Sequence, residues 1–532
     1  MADIIFVNQF DWEISDEQIL PIGLLSLSQV LKKDGIEAQI CDFNWLYFQG
    51  KIKLNTNFHT NVDRMAHYLV ELKPCIISFY TMAHNYHIAL SICDMIKKYN
   101  SEIYTILAGP QATAVAAETL KCFSQIDLIA MGEGELTICH IVKHLKIHGL
   151  DGIGEVDGIS CRIGEQIITN WNKFKWIKVD ELPILDFTQI DSLRSAKIDV
   201  LEMEIGRGCP FNCTYCSTSR FWGRNYRIKG VNRTIQEIQN YIEKYGTKVF
   251  LFQHDLFTFD KKYVLELCDR IISENLQIKW VCYARLDVID EEMIIKMAQA
   301  GCIKLFFGLE TGSPKIQTAV KKRLDVNKIF SLLDIFAKFN VDITISFIYG
   351  FPEEDSEDLN QTLSLMYRIK EQSYLFHSAN KWVDVFLSML MYFADTEITD
   401  RYFEQLVFDS TYFEVTKKLV SVPSDILTMI KENKKVFSQY CVMPKMDDKK
   451  YRFLAGFING LFSSFYYLEH ELISEAIGIY SGNILSLYFD IYENSLQDVE
   501  KIYHFSYNEH NDDEVISTLH NVLSRVVERE QE

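Results

Sequence analysis

Twice along this chain, short apolar runs alternate with amphipathic helical stretches, and few backbones satisfy such a pattern. From residue 2 to about 146 the runs "DIIFVN", "EAQICDF", "CIISFY", "IYTILAG" and "IDLIAMG" read as five strands, with "LPIGLLSLSQVLKKDG" and "HIALSICDMIKKYN" among the helices between them. Strands that are apolar along their whole length are covered on both faces, and helical crossovers join parallel neighbours. Residues 1–150 are therefore expected to form a doubly wound, Rossmann-like α/β domain whose ligand lies beyond the C-terminal ends of the strands.

The pattern lapses over residues 151–200, where "GISCRIGEQIIT" reads as a hairpin across Gly164 within an otherwise irregular linker. It resumes over 201–400 with "VLEMEIG", "KVFLFQH", "IKWVCYAR", "IKLFFGLE", "VDITISFIYG" and "VDVFLSMLMYF". Six strand–helix units predict an open, partial (β/α)6 barrel rather than a closed eightfold one, with chemistry again at the strands' C-terminal ends. Residues 401–532 read as a helical, acidic region expected to help shape a substrate pocket. Within it "FLAGFINGLFSSFYYLEH" reads as a buried core helix, with an interfacial membrane segment or an apolar pocket wall as the other readings.

A chain of 532 residues exceeds what one core supports, in keeping with this division. Its formal charge of -19 repels a phosphate backbone and argues against sequence-independent nucleic-acid binding. The opening "MADIIFVNQF" lacks a basic stretch followed by an apolar core, and no apolar run reaches the roughly eighteen residues of a membrane span. A cytoplasmic protein without a transmembrane segment is the expectation. Of the 13 cysteines most sit singly in apolar segments, as Cys75 and Cys282 do, which is the habit of small buried hydrophobes and not of a disulfide framework.

The exception is "EIGRGCPFNCTYCSTSRFWG", residues 204 to 223, where Cys209, Cys213 and Cys216 directly follow the first strand of the second series. Thiolates are soft ligands suited to zinc or to iron–sulfur clusters. Structural zinc closes four ligands, typically as paired C-x-x-C units, and a cubane cluster usually takes four cysteines. Here the second pair is missing, and Cys268 and Cys302 fall inside a helix and a strand pattern. Three thiolates leave one iron of a cubane open, as catalytic metal sites keep a free position.

At these residues the sequence resembles the radical S-adenosylmethionine (SAM) superfamily, whose C-x-x-x-C-x-aromatic-C signature is met by Cys209, Cys213, Tyr215 and Cys216. The resemblance implies a [4Fe-4S] cluster on the three cysteines, SAM on the open iron, an external one-electron reductant of flavodoxin or ferredoxin type, and a 5′-deoxyadenosyl radical. It extends along the second series. In "FQHDLFTFD" Asp255 is similar to the contact of the SAM amino group, though His254 stands where an acid is common, and capping the helix that follows is the alternative role for Asp255. Glu310 in "LFFGLETGSP" looks like the residue that accepts from the ribose hydroxyls. "SFIYGFPEED" is similar to the adenine-contact strand G-x-I-x-G-x-x-E through Ile348, Gly350 and Glu353, with Ser346 at the first glycine. Arg285 is open to two roles, pairing with the SAM carboxylate or forming a structural salt bridge.

The first series resembles the cobalamin-binding domain that precedes the radical core in one large subfamily, through "LPIGLLSLSQVLKKDG", "ISFYTMAHNYHIAL", "LAGPQATAVAAETL" and "IDLIAMGEGELT". By position, Ser78, Ala108, Gly109, Gly132 and Gly134 are implied as contacts of cobalamin's dimethylbenzimidazole tail. The histidine of D-x-H-x-x-G is replaced by Asn44 in "CDFNWLYFQG", and His84 and His87 read as solvated or capping residues. Together the resemblances imply a cobalamin-dependent radical SAM enzyme that methylates an unactivated carbon of a small molecule or peptide through a 5′-deoxyadenosyl radical and methylcobalamin, as in natural-product biosynthesis. The rivals are ring contraction, cyclisation or carbon–carbon coupling with the same cofactors, methylthiolation of transfer RNA, and a cobalamin or iron–sulfur sensor.

Overall fold

The first alternating series forms one sheet, with β1 (Ile4–Asn8), β2 (Ala38–Asp42), β3 (Ile76–Tyr80), β4 (Tyr104–Ala108) and β5 (Leu128–Ala130) all parallel in the order β2-β1-β3-β4-β5. In this computed structural model the described residues are 2–10, 21–171, 175–190, 197–376, 382–415, 420–506 and 511–531. Leu20, the first residue of one expected helix, lies outside them. The strand order reverses between β1 and β3, which opens a crevice at their C-terminal ends. The expected hairpin, β6 (Ile159–Ile163) and β7 (Gln166–Asn170), turns at Gly164 with φ +60° and pairs antiparallel to β5. The sheet thus runs on to residue 170, into the segment 151–200 read from sequence as a linker.

The second series forms a six-stranded, wholly parallel sheet of β8 (Val200–Glu204), β11 (Val249–Gln253), β12 (Lys279–Ala284), β13 (Cys302–Glu310), β14 (Asp342–Tyr349) and β15 (Val383–Met389), neighbours in that order. Between β8 and β11 lies a small antiparallel pair, β9 (Gly206–Arg207) with β10 (Arg227–Ile228). β8, β11, β12 and β14 alternate strictly between buried and more exposed positions. In β12 Trp280 and Cys282 are buried beneath helices, whereas Tyr283 on the opposite face is 41% exposed. β8 and β15 do not pair with each other, so the barrel is open.

The C-terminal region divides its loyalties. Ala394, Val420, Ile426, Ile430, Val436, Phe437 and Tyr440 join the core of the first domain beside Phe79 and Tyr86. From Met446 onward the helices join the core of the barrel instead. The helix Lys449–Leu461, which opens the apolar run "FLAGFINGLFSS", is buried and lies on β15. Its Asn459 accepts from the Leu387 N–H at 2.7 Å and donates to the Leu387 carbonyl at 3.1 Å, closing the outer edge of the sheet. The only strand pair among the described residues here is two residues deep, Val407–Phe408 with Cys441–Val442. No described helix is long and apolar enough to cross a membrane.

Candidate functional site

β8 and β9 deliver the cysteine loop to the C-terminal end of the barrel. Gly208 turns the chain with φ +90°, and a Cβ there would lie 2.1 Å from the Asn225 carbonyl, so no other residue fits. Beyond it, the Cys216 N–H donates to the Cys213 carbonyl at 3.2 Å, and Thr214 ties the loop to Val320 and Ile398 through backbone hydrogen bonds of 3.0 Å each. Cys213 is buried, and Cys209 and Cys216 are half-buried. Burial pushes the Cys209 thiol up to about 11, and the neighbouring Cys216 and Cys213 add to it, so the three sulfurs share one space. Among the described residues no three His, Cys, Asp or Glu side chains converge on the radius of a single ion. Three thiols held on one loop are the donor type that an iron–sulfur cluster takes.

Around the loop, several expected residues come together. Glu310 ends β13 at a shift of register and holds φ +69°, a strained position for a side chain of its size. Its carboxylate folds back over Gly308, where a Cβ would meet Oε1 at 2.2 Å, and accepts from Lys322 Nζ at 3.0 Å. Tyr215 stands beside it, its phenol held well above the usual range by burial and then by the Glu310 charge. Arg285 makes a salt bridge: Nε donates to Asp287 Oδ1 at 2.7 Å and Nη2 to Oδ2 at 3.2 Å. Its Nη1 points at Cys213 Sγ, 3.7 Å away, and the guanidinium lies 3.8 Å from the centre of the Phe211 ring.

Asp255 accepts from the Gly208 N–H at 2.7 Å and the Thr218 hydroxyl at 3.2 Å, so it braces the cysteine loop. The capping role belongs to Asp260, which accepts from the Tyr263 N–H at the start of Lys261–Ser273. His254 is buried, with Nδ1 accepting from the Leu256 N–H at 2.9 Å and Nε2 donating to the Arg227 carbonyl at 3.2 Å. Burial pushes its pKa down to about 4, so the ring is neutral.

Ile348 packs with Tyr215 and Phe351 in one small core. Gly350, at φ +90°, does not meet Glu353; its N–H donates to Glu354 Oε2 at 2.6 Å. Glu353 is half-buried and accepts from the Tyr402 hydroxyl at 2.6 Å. Glu354 is buried, and that burial pushes its carboxyl up to about 8. Glu354 and Lys322 are the residues sequence reasoning missed. Nothing in "PEED" or "VKKR" marks which of two like neighbours turns inward.

On the first domain, Gly109 follows β4 at φ +101°, and a Cβ there would lie 2.7 Å from the Thr81 carbonyl. Ala108 ends β4 beside it and accepts from both the Thr81 N–H and hydroxyl. Tyr80 and Met82, each 37% exposed, project from the end of β3, an apolar rim suited to a ring ligand. Ser78 is buried within β3. The space that Cβ atoms would take at Gly132 and Gly134 is filled by Trp171 and Leu27 of the same domain. Asn44 lies in the helix Phe43–Phe48, capped by Asp42. His84 is exposed, but His87, expected to be solvated or capping, is buried in Tyr86–Tyr99 between Phe58 and Tyr440. The rim after β4 does not stand apart from the barrel, because Pro110–Ala114 packs on Ser217–Phe221, the helix leaving the cysteine loop.

Comparison with known proteins bears on both halves. The family described as "Radical SAM superfamily" matches residues 203–366, and "B12 binding domain" matches residues 15–142. An uncharacterized methyltransferase of Pyrococcus horikoshii is 29% identical over 302 residues, 56% of this chain and 65% of that protein. The anaerobic magnesium-protoporphyrin IX monomethyl ester cyclase of Rubrivivax gelatinosus is 23% identical over 57% of this chain and 56% of its own. These alignments span between half and two thirds of the relatives' length. The cobalamin-dependent S-adenosylmethionine radical enzyme OxsB, solved with aqua-cobalamin and S-adenosylmethionine bound, shares the fold with a TM-score of 0.65 at 16% identity, over 98% of this chain and 83% of that one. The cofactors of these two domains are a [4Fe-4S] cluster with SAM and cobalamin, and the chain carries a radical SAM domain preceded by a B12 binding domain.

Proposed function

We propose that the protein methylates an unactivated carbon of a small molecule or peptide. The observation that carries this reading is the apposition of two ligand-binding edges: the C-terminal rim of the first sheet, at Pro110–Ala114, rests on the helix that leaves the cysteine loop. When bound, the cluster and SAM supply a hydrogen-abstracting radical, and cobalamin supplies methyl transfer. The chain's own residues hold and orient. Cys209, Cys213 and Cys216 ligate the cluster, and Arg285 donates to the Cys213 sulfur. Glu310, fixed between Lys322 and Tyr215, offers its carboxylate to a ribose diol. Asp255 holds Gly208 and Thr218, so the loop keeps its shape when loaded. Gly109, Tyr80 and Met82 accept a flat ring ligand against the rim. The substrate enters along the open concave face of the barrel, past Tyr283, and a small redox protein supplies electrons.

The methyltransferase relative favours methylation, while the cyclase relative supports a second reading with the same cofactors and no net methyl transfer. Turnover with methyl-labelled SAM separates them. Methylation yields S-adenosylhomocysteine and 5′-deoxyadenosine in comparable amounts with label in the product. A product without label, formed alongside 5′-deoxyadenosine alone, rejects methylation and leaves the cyclase reading.

A further inference from the structure

Two cofactors that must face one another need a fixed separation and, granting the function above, we propose that Arg207 is the positioning residue that sets it. Arg207 stands two residues before Cys209, and the Gly208 between them is immobilised by Asn225 on one side and Asp255 on the other. Its five N–H groups are all committed. Nε donates to Glu204 Oε1 at 2.7 Å and Nη2 to Glu204 Oε2 at 3.1 Å. Nη2 also donates to Glu135 Oε1 at 2.7 Å, and Nη1 to Glu135 Oε2 at 3.3 Å and Glu133 Oε1 at 2.8 Å. Glu204 ends β8 of the barrel, whereas Glu133 and Glu135 sit on the loop after β5, at the rim of the cobalamin domain. One planar guanidinium thus grips both domains at their facing edges.

The set is reinforced and dry. Arg227 Nη1 donates to both Glu133 oxygens, at 2.9 and 3.0 Å, and to the Ile177 carbonyl, while the Ile177 N–H donates back to Glu133 Oε2 at 2.8 Å. Trp222 lies 5.7 and 5.5 Å from the two guanidinium carbons. Side-chain exposure is 8% for Arg207, 0% for Glu133 and 6% for Glu135. Apolar residues in such a place are often at least as stabilising as ions, so what the fully bonded Arg207 adds is a single permitted geometry. A slide of the rim against the cysteine loop by about 1 Å takes several of these bonds beyond hydrogen-bond length together.

The test compares wild type with Arg207→Gln, with Lys143→Gln, a surface-pair variant, as control. Amide exchange over residues 131–137 and 206–209 should rise by roughly tenfold or more in Arg207→Gln and stay unchanged in β12 and β13. In the reconstituted protein, the distribution of distances between reduced cluster and cob(II)alamin, read from their magnetic coupling, should broaden while iron and cobalamin content hold. Faster exchange with an unchanged distance distribution would make Arg207 a stabilising residue only and overturn the proposal. If Arg207→Gln does not fold, the near-isosteric Glu135→Gln is read in the same two ways, and wild-type values there overturn it equally. If the wild type binds no cobalamin, the methyltransferase reading fails, and the exchange of the two segments alone decides for or against the clamp.

Discussion

Glu353 and Glu354 are adjacent acids with different fates, one half-buried and bonded to Tyr402, the other buried on the Gly350 N–H. The buried one has a titration that stability should report. Its folded pKa, about 8, lies above the ordinary 4.5, so between those values the folded state binds more protons than the unfolded one and stability falls as pH rises. His254, depressed to about 4 from 6.5, acts in the opposite sense but only below pH 6.5. Between pH 6.5 and 8 the wild type should therefore lose about 1.4 kcal/mol per pH unit through this carboxyl, and Glu354→Gln should not. Melting temperatures across that window check it. A second expectation at this scale concerns the thiols: Cys213→Ala should abolish the iron content of the reconstituted protein, whereas Cys282→Ala, on the helix-facing side of β12, should leave it intact. Iron assay decides between them. The cysteines were readable in sequence because their spacing is itself the signal. Glu354 was not, since the choice of which acid turns inward is made by Gly350 and by the packing that receives it.

Among the elements, the strands of both sheets were the most visible, because a run such as "KVFLFQH" is apolar at every place where a sheet covered by helices must be. The hairpin β6–β7 was visible as a hairpin but not as part of the first sheet, since nothing in "GISCRIGEQIIT" names β5 as its partner. The outer edge of the barrel shows the same asymmetry: β15 was predicted, yet its cover by Asn459 was not. Asn459→Ala leaves the Leu387 N–H and carbonyl without those partners, and each orphaned group costs about 1–3 kcal/mol. A lowered melting temperature, with faster amide exchange confined to β15 and Lys449–Leu461, is the expected result.

At the scale of the whole molecule, the chain visits the first domain, then the barrel, then the first domain again at Ala394 and over residues 420–440, and ends on the barrel. Amphipathic helices do not announce which core they will cover, so the sequence reading treated residues 401–532 as one region. A fragment ending at residue 400 should bare apolar surface on both domains, at Phe79 and Tyr86 on one and along β15 on the other. It should bind an apolar dye strongly and sediment as aggregate, whereas the full chain should do neither. This double return also bears on how the protein is made. The first sheet is complete once Asn170 has been synthesised, but Val436, Phe437 and Tyr440, which cover its remaining flank, follow about 270 residues later. At ribosomal rates of roughly 5–20 residues per second the nascent domain waits on the order of 15–50 s with that flank bare. Co-translational chaperones should therefore crosslink to it throughout the synthesis of the barrel and release it only as residue 440 emerges.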